Sequence, residues 1–257
     1  MQNVLFPPKG LIHRLVDELS GILIASIVII LWLSSLIILL SIDVSQVPLF
    51  LIVPDVLLRA FLHTGLFITA HDAMHRIVFP QNRKINDFIG GVAARMYVLL
   101  PYKTLLEKHR LHHHYPASEK DPDFCENGKE NPALWYIKFM REYLKGNQSW
   151  VLLIGMSLIF YTLLFGLHIP IINLVLFWLF PLFLSSIQLF YFGIFLPHRL
   201  PENGYTNRHR AISSNFSVLW SFLSCYHFGY HWEHHEYPNI PWYKLPSVVK
   251  NAEYAEY

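Results

Sequence analysis

Four long apolar runs divide this 257-residue chain and constrain its fold more than any other feature. The first, 19–40, is about 22 residues long without a charged side chain, enough for a helix to cross a hydrocarbon layer about 30 Å thick. The others cover 48–70, 150–167 and 169–196. Because a helix satisfies its own backbone hydrogen bonds in lipid, these runs predict an all-α, polytopic membrane protein with four transmembrane helices in one domain, 1–257.

Composition supports a membrane protein and excludes several other classes. Hydrophobic residues make up 53% of the chain and charged residues only 15%, whereas soluble domains carry about 25% charged residues. The net charge of +2 is too small to indicate a nucleic-acid partner. Cys125 and Cys225 lie far apart without CxxC spacing, so the sequence predicts neither a disulfide framework nor a zinc ribbon.

The basic residues predict how the chain is oriented in the bilayer. Of the 20 lysines and arginines, only Arg59 lies outside the segments that flank the apolar runs on one side. The short loops on the other side, 41–47 and 166–168, contain none. Because basic residues concentrate on the cytoplasmic side, we expect both termini and the segments 71–149 and 197–257 to be cytoplasmic.

Several local patterns give further expectations. Asp55 and Arg59 are one helical turn apart in the second run, so we expect them to neutralise each other. Pro181 is expected to kink the fourth helix. The stretches 86–100 and 132–144 are typical of amphipathic helices, which would form a helical cap on the cytoplasmic side.

Histidine is the most unevenly distributed residue, with 15 in the chain. Most of them fall in three groups: His71 and His75; His109, His112 and His113; and His231, His234 and His235. Spacings of i, i+3 and i+4 bring imidazoles to one side of a helix. Two membrane crossings separate the second group from the third, so all three groups return to the same face and can meet there.

Eight imidazoles exceed what one metal ion needs, because a single zinc site takes three or four protein ligands. The set therefore predicts two ions, and nitrogen-rich sites with open positions suit iron that binds dioxygen. His198, at the end of the fourth run, is the predicted ninth ligand. His227 lies four residues before His231, so a continuous helix would make it a tenth ligand or a donor to one.

Other residues around the groups are predicted to have lesser roles. Carboxylates beside the histidines are expected to orient the imidazoles by accepting a hydrogen bond from the ring N–H that does not face the metal. They are Asp72, Glu119, Asp121, Asp123, Glu233 and Glu236. The remaining histidines are not expected to bind metal: His13, His63, His114, His168 and His209.

The pattern HxxxH, HxxHH and HxxHH with paired membrane spans resembles the membrane fatty-acid desaturase and hydroxylase superfamily. Three longer stretches narrow the resemblance: HDAMH at 71–75, YPASEKDPDF at 115–124 and YHFGYHWEHHEYPNIPWYKLP at 226–246. They are similar to the short-type β-carotene ketolases of bacteria and cyanobacteria.

This resemblance implies oxidation of the C4 and C4' methylene groups of β-ionone rings, from β-carotene through echinenone to canthaxanthin. The same chemistry would convert zeaxanthin to astaxanthin. Two ferrous ions, dioxygen as co-substrate, a carotenoid substrate, a lipid bilayer and an electron donor such as ferredoxin come with the resemblance. The histidines of the three groups would be the catalytic metal ligands.

Two alternatives stay open on the sequence. The first is another reaction of the superfamily, carotenoid 3-hydroxylation or fatty-acyl desaturation. The second is a metal-binding membrane transporter or sensor without enzymatic activity. A transporter would need ionisable groups along a path through the bilayer, but the histidine groups lie at one edge of it.

Overall fold

The computed structural model describes residues 11–126 and 131–249, and within them it contains helices and no strand. In chain order the helices are α1 (Leu11–Ser41), α2 (Leu49–Met74), α3 (Arg83–Val98), α4 (Tyr102–His114), α5 (Pro132–Tyr143), α6 (Asn147–Tyr161), α7 (Ile171–Leu174), α8 (Phe180–Phe190), α9 (Leu196–His198), α10 (Val218–Cys225) and α11 (His231–Glu236). Three π turns extend or join them, at Thr162–Gly166, Val175–Leu179 and Tyr191–Phe195. The all-helical prediction is confirmed for this part of the chain.

Four of these helical segments are long and apolar, as predicted. They cover Leu19–Ser41, Leu49–Met74, Asn147–Gly166 and Ile171–His198, within a few residues of the predicted bounds. The most apolar stretch of the third segment is 0% buried. Its Trp150 and Leu158 side chains are 63% and 64% exposed. An apolar surface of this extent requires an apolar partner or solvent.

The segment between the second and third long helices folds into α3, α4 and α5. The amphipathic helices predicted at 86–100 and 132–144 correspond to α3 and α5. Asn82 begins α3 by accepting hydrogen bonds from the backbone N–H groups of Lys84 and Ile85, and Asn131 begins α5 in the same way. Each cap therefore fixes where its helix starts.

α3 packs closely on α2 because glycine occupies the crossing. A Cβ atom on Gly90 would lie 2.6 Å from the Cβ of Ala73, closer than real Cβ atoms approach one another. Ala73 lies between His71 and His75 at the end of α2. The close contact therefore holds α3 directly behind the first histidine group.

The expected pairing of Asp55 with Arg59 is wrong. Arg59 is 0% exposed, and its guanidinium donates to the backbone oxygens of Trp32 at 2.6 Å and Phe177 at 3.0 Å. It also donates to the Ser35 hydroxyl. The Arg59 side chain therefore joins α1, α2 and the turn between α7 and α8, because oxygens inside the bundle accept from its Nε and Nη1 atoms.

The fourth long helix stays helical from Ile171 to His198, with π turns before and after α8. The first of these turns ends at Leu179, two residues before Pro181, and the expected kink at Pro181 stays a prediction. Proline has no N–H, so it cannot donate to the carbonyl of Phe177 four residues earlier. The Arg59 guanidinium donates to that carbonyl instead.

Candidate metal centre

The histidine groups lie at or near helix ends that meet in one place. His71 is in the last turn of α2 and His75 is its C-cap, after which Arg76 leaves the helix with a φ of 63°. The second group is on the last two turns of α4, and His198 is the last residue of α9. The third group is on α11, a helix of six residues.

Nine histidines form two clusters, which we call cluster A and cluster B. The side-chain nitrogens within each cluster all lie within 4.8 Å of one another. Cluster A consists of His71, His75, His109, His113 and His234. Cluster B consists of His112, His198, His231 and His235. The structure thus brings together all eight predicted group histidines and His198.

The two HxxHH groups each divide between the clusters. On α4, His109 and His113 enter cluster A while His112 enters cluster B. On α11 the assignment is reversed, because His231 and His235 enter cluster B while His234 enters cluster A. Neighbouring clusters therefore share two helices, which fixes them side by side.

The distances between imidazoles fit a metal ion in each cluster. Two metal–nitrogen bonds of about 2.1 Å at a right angle would place the nitrogens about 3.0 Å apart. In cluster A, the Nε2 atoms of His113 and His234 are 3.0 Å apart. In cluster B, the Nε2 of His235 is 3.2 Å from that of His112 and 3.1 Å from that of His231.

Hydrogen bonds at Nδ1 orient two of the rings in cluster B, those of His112 and His198. The Nδ1 of His112 lies 3.0 Å from a carboxylate oxygen of Asp121, and the Nδ1 of His198 lies 3.0 Å from the backbone oxygen of Arg210. Both oxygens can only accept, so each Nδ1 carries a hydrogen and Nε2 is the nitrogen left to bind metal once it carries none. The Nε2 of His198 is buried and has no hydrogen-bond partner. This arrangement fits a metal ligand.

Burial keeps most of the cluster imidazoles neutral, the form that binds metal. It lowers the pKa of His109, His113 and His234 well below the usual value, and neighbouring histidines lower it further. The same causes lower the pKa of His231 and His235.

His112 behaves differently from its neighbours. Burial lowers its pKa, but the carboxylates of Asp121 and Asp123 outweigh burial and raise the pKa to about 9. Asp121 also accepts hydrogen bonds from the backbone N–H groups of Ala117 and Asp123, both at 2.9 Å. These bonds stabilise an ionised Asp121 against the cost of burial.

Helix α5 holds the loop that carries Asp121 and Asp123. Trp135, 0% exposed, donates from its indole nitrogen to the Asp123 backbone oxygen at 2.6 Å. Lys138 donates to the Pro122 backbone oxygen, and the Tyr143 hydroxyl donates to the Asp123 carboxylate at 2.7 Å. Three side chains of one helix thus fix the carboxylates behind His112.

His227 does not reach either cluster, and the expectation that it shares a helical face with His231 is wrong. Tyr226 and His227 have φ values of 47° and 64°, which break the helix between α10 and α11. The His227 ring instead lies against Tyr230 and Trp242. No local sequence signal marked this break.

The other predicted carboxylates differ in what they contact. Asp72 lies 3.5 Å from the Nδ1 of His71. Glu233 accepts a hydrogen bond from Ser213 instead of from an imidazole. Glu236 accepts from Arg208 and lies 2.8 Å from the Nε2 of His209. Glu119 is exposed.

The sequence does not predict His209 as part of the site. Its ring centroid nevertheless lies 5.6 Å from that of His235. The surrounding sequence contains no signal for this contact, since ten residues of loop and turn separate His209 from the end of α9.

An apolar pocket of about 150 Å³ opens onto both clusters. Its walls include His71 and His109 of cluster A and His112 and His231 of cluster B. Along the fourth long helix the lining residues extend from Leu182 to Ile194, a stretch about 18 Å long at 1.5 Å per residue. An apolar group can therefore lie along the helices beside the histidines.

Comparison with known proteins identifies the family. The model of the fatty acid desaturase family matches residues 46–257. A zeaxanthin 4-ketolase from Chlamydomonas reinhardtii is 41% identical over 75% of this chain and 43% of its own length. A β-carotene ketolase from Paracoccus sp. (strain PC1) is 38% identical over 75% of this chain and 76% of its own length.

A β-carotene ketolase from Haematococcus lacustris is 40% identical over 72% of this chain and 58% of its own length. The chain thus spans less than half of the Chlamydomonas protein but about three quarters of the Paracoccus one. No solved structure matches. The resemblance to carotenoid ketolases is confirmed by these relatives, and the chain belongs to the fatty acid desaturase family.

Proposed function

We propose that this chain is a β-carotene ketolase that oxidises the C4 methylene of a β-ionone ring to a ketone with dioxygen. The observation that carries the proposal is the apolar pocket whose walls include four of the nine cluster histidines. Similarity to carotenoid ketolases over about three quarters of the chain supports the substrate class. The 4-ketolation of zeaxanthin is the corresponding reaction on a hydroxylated ring.

The nine histidines of clusters A and B are the proposed ligands of two ferrous ions. The separate clusters support two ions, and the shared helices α4 and α11 keep them adjacent. When bound, the two iron ions would supply the activation of dioxygen. Asp121 and the Arg210 carbonyl orient His112 and His198 toward the metal.

The protein's own contribution is to position the ring and exclude water. The pocket lining is apolar apart from the histidines, the Asp123 carboxylate and the hydroxyl groups of Tyr97, Tyr143 and Ser186. A carotenoid lying along the fourth long helix would bring a terminal ring to the histidines. Holding one methylene group at a fixed place replaces a random encounter with an oriented one.

Conversion of a methylene carbon to a ketone takes two rounds of oxidation. Each round consumes one dioxygen, two electrons and two protons, inserts one oxygen atom at C4 and releases the other as water. The diol formed by the second insertion loses water to give the ketone. We propose that an external carrier, ferredoxin, delivers the electrons.

The chain is proposed to be an integral membrane protein with one domain. The four long apolar helices support this, as does the exposed apolar surface of Asn147–Gly166. All lysines and arginines except Arg59 lie in the segments that flank one end of these helices. By the positive-inside tendency, both termini, the helical cap and the metal centre would face the cytoplasm.

Expression in a β-carotene-producing host tests the activity. We expect echinenone and canthaxanthin in the extracted pigments. His112→Ala and His235→Ala should form no ketone while the protein still inserts in the membrane, because each removes a nitrogen from cluster B. Pigments hydroxylated at C3 without any ketone would contradict ketolase activity and favour the hydroxylase alternative.

A further inference from the structure

Tyr143 is a hydroxyl-bearing residue in the lining of a pocket that we propose for a hydrocarbon, and its hydroxyl is hydrogen-bonded to another lining residue, Asp123. Tyr143 is the last residue of α5 and lines the pocket together with His112 and Asp123. β-Carotene has no group that could form a hydrogen bond with it. The position of this hydroxyl beside the metal centre therefore calls for an explanation.

The hydrogen-bond pattern leaves the Tyr143 oxygen free to accept and not to donate. Its O–H donates to Asp123 Oδ1 at 2.7 Å, and the other oxygen of that carboxylate lies 3.8 Å from the Nδ1 of His112. Burial and the Asp123 charge raise the pKa of Tyr143, which keeps the phenol protonated. A partner for the remaining lone pairs must be a donor, such as an alcohol O–H.

The other hydroxyl groups of the pocket are engaged elsewhere. Ser186 donates to the Phe183 backbone oxygen at 2.8 Å and pairs with the Tyr136 hydroxyl at 2.6 Å. The Tyr97 hydroxyl accepts a hydrogen bond from the Ser185 hydroxyl at 3.5 Å. Among the hydroxyl-bearing residues of the pocket lining, Tyr143 is linked through the Asp123 carboxylate to His112 of cluster B.

We propose that the Tyr143 oxygen accepts a hydrogen bond from a hydroxyl group on the substrate ring, at or next to the carbon that is oxidised. This inference rests on the proposed ketolase function. Two ring hydroxyls have the required chemistry: the 4-hydroxyl left by the first oxidation, and the 3-hydroxyl of zeaxanthin. In either case Tyr143 favours a hydroxylated ring over a plain one.

A hydrogen bond from the 4-hydroxyl to Tyr143 would determine whether the ring leaves as the alcohol or as the ketone. A ring held by its 4-hydroxyl stays beside the metal centre for the second oxidation and leaves as the ketone. A plain ring gains nothing from Tyr143, so it enters through apolar contacts alone. The residue thus acts on specificity and retention.

Equilibrium binding to Tyr143→Phe tests the proposal without relying on turnover. The full chain is purified in detergent and loaded with zinc, which has no redox chemistry and cannot activate dioxygen. Quenching of tryptophan fluorescence measures binding of β-carotene, 4-hydroxy-β-carotene and zeaxanthin. Tyr102→Phe is the matched control, because Tyr102 also donates to a carboxylate, that of Asp87 at 3.4 Å, but lies outside the pocket lining.

We expect Tyr143→Phe to weaken binding of at least one hydroxylated carotenoid by about threefold to tenfold, the effect of one neutral hydrogen bond. β-Carotene binding should stay unchanged, which also shows that the variant folds. The affected ligand identifies which hydroxyl Tyr143 contacts. Tyr102→Phe should bind all three as the parent does.

Two results would overturn the proposal. Unchanged binding of both hydroxylated carotenoids would show that Tyr143 contacts neither hydroxyl. An equal loss for all three ligands would show that Tyr143 only holds Asp123 in place. The binding measurement uses zinc-loaded protein and does not depend on turnover. A failure to form ketones in the producing host would therefore contradict the proposed function, not the role of Tyr143.

Discussion

The Nδ1 of His112 lies 3.0 Å from Oδ2 of Asp121, and both side chains are buried. This contact fixes which nitrogen of His112 faces cluster B. It also links the metal centre to the loop that α5 holds in place. The affinity of the centre for metal should therefore depend on residues that are not themselves metal ligands.

We predict that Asp121→Asn lowers the affinity of the protein for metal by about tenfold to a hundredfold, as loss of an orienting partner of a ligand histidine does elsewhere. The amide cannot supply the negative charge that favours the Nδ1–H form of His112. Competition with a chelator measures the effect. Asp87→Asn, which alters a carboxylate paired with Arg83 and Tyr102, should leave the affinity unchanged.

Trp135→Phe should destabilise the protein and release metal more easily. The substitution leaves the buried Asp123 carbonyl without its indole donor, at a cost of about 1–3 kcal/mol. We expect a lower apparent Tm in detergent and a lower metal content after dialysis. Trp150→Phe is the control, since Trp150 is 63% exposed. Equal Tm values for the two variants would contradict the proposed role of α5.

Two adjacent glycines of α3 should respond in opposite ways to alanine. A Cβ on Gly90 would lie 2.6 Å from Ala73, whereas the nearest atom to a Cβ on Gly91 is 3.5 Å away, on Arg95. We predict that Gly90→Ala lowers the apparent Tm, at a cost of about 1–3 kcal/mol for overpacking. Gly91→Ala should keep or raise it, because alanine favours a helix over glycine by about 1 kcal/mol. Thermal unfolding of both variants decides this.

The parts of the fold that depend on short-range sequence pattern were predictable. The apolar run at 19–40 becomes the helical segment Leu19–Ser41, because length and composition alone decide such a helix. The three histidine groups could be recognised from their spacing. The spacing could not show that His112 belongs to cluster B while His109 and His113 belong to cluster A, because this depends on where α11 approaches α4.

The errors share one physical origin, which is contact between distant parts of the chain. Helical spacing pairs Arg59 with the nearby Asp55, but its partners Trp32 and Phe177 lie 27 and 118 residues away in sequence. His227 was placed on a helix that two left-handed residues interrupt, and its ring stacks on Trp242. Spacing rules describe one continuous helix and cannot show such contacts.

Metal analysis of the purified full chain tests the central claim most directly. We predict two iron ions per chain, with both ions and ketolase activity lost on chelation and restored together by iron(II). His198→Ala should bind less than two, because His198 provides one of the four nitrogens of cluster B. One zinc ion and no iron in active protein, or full activity with a single iron ion, would contradict the account.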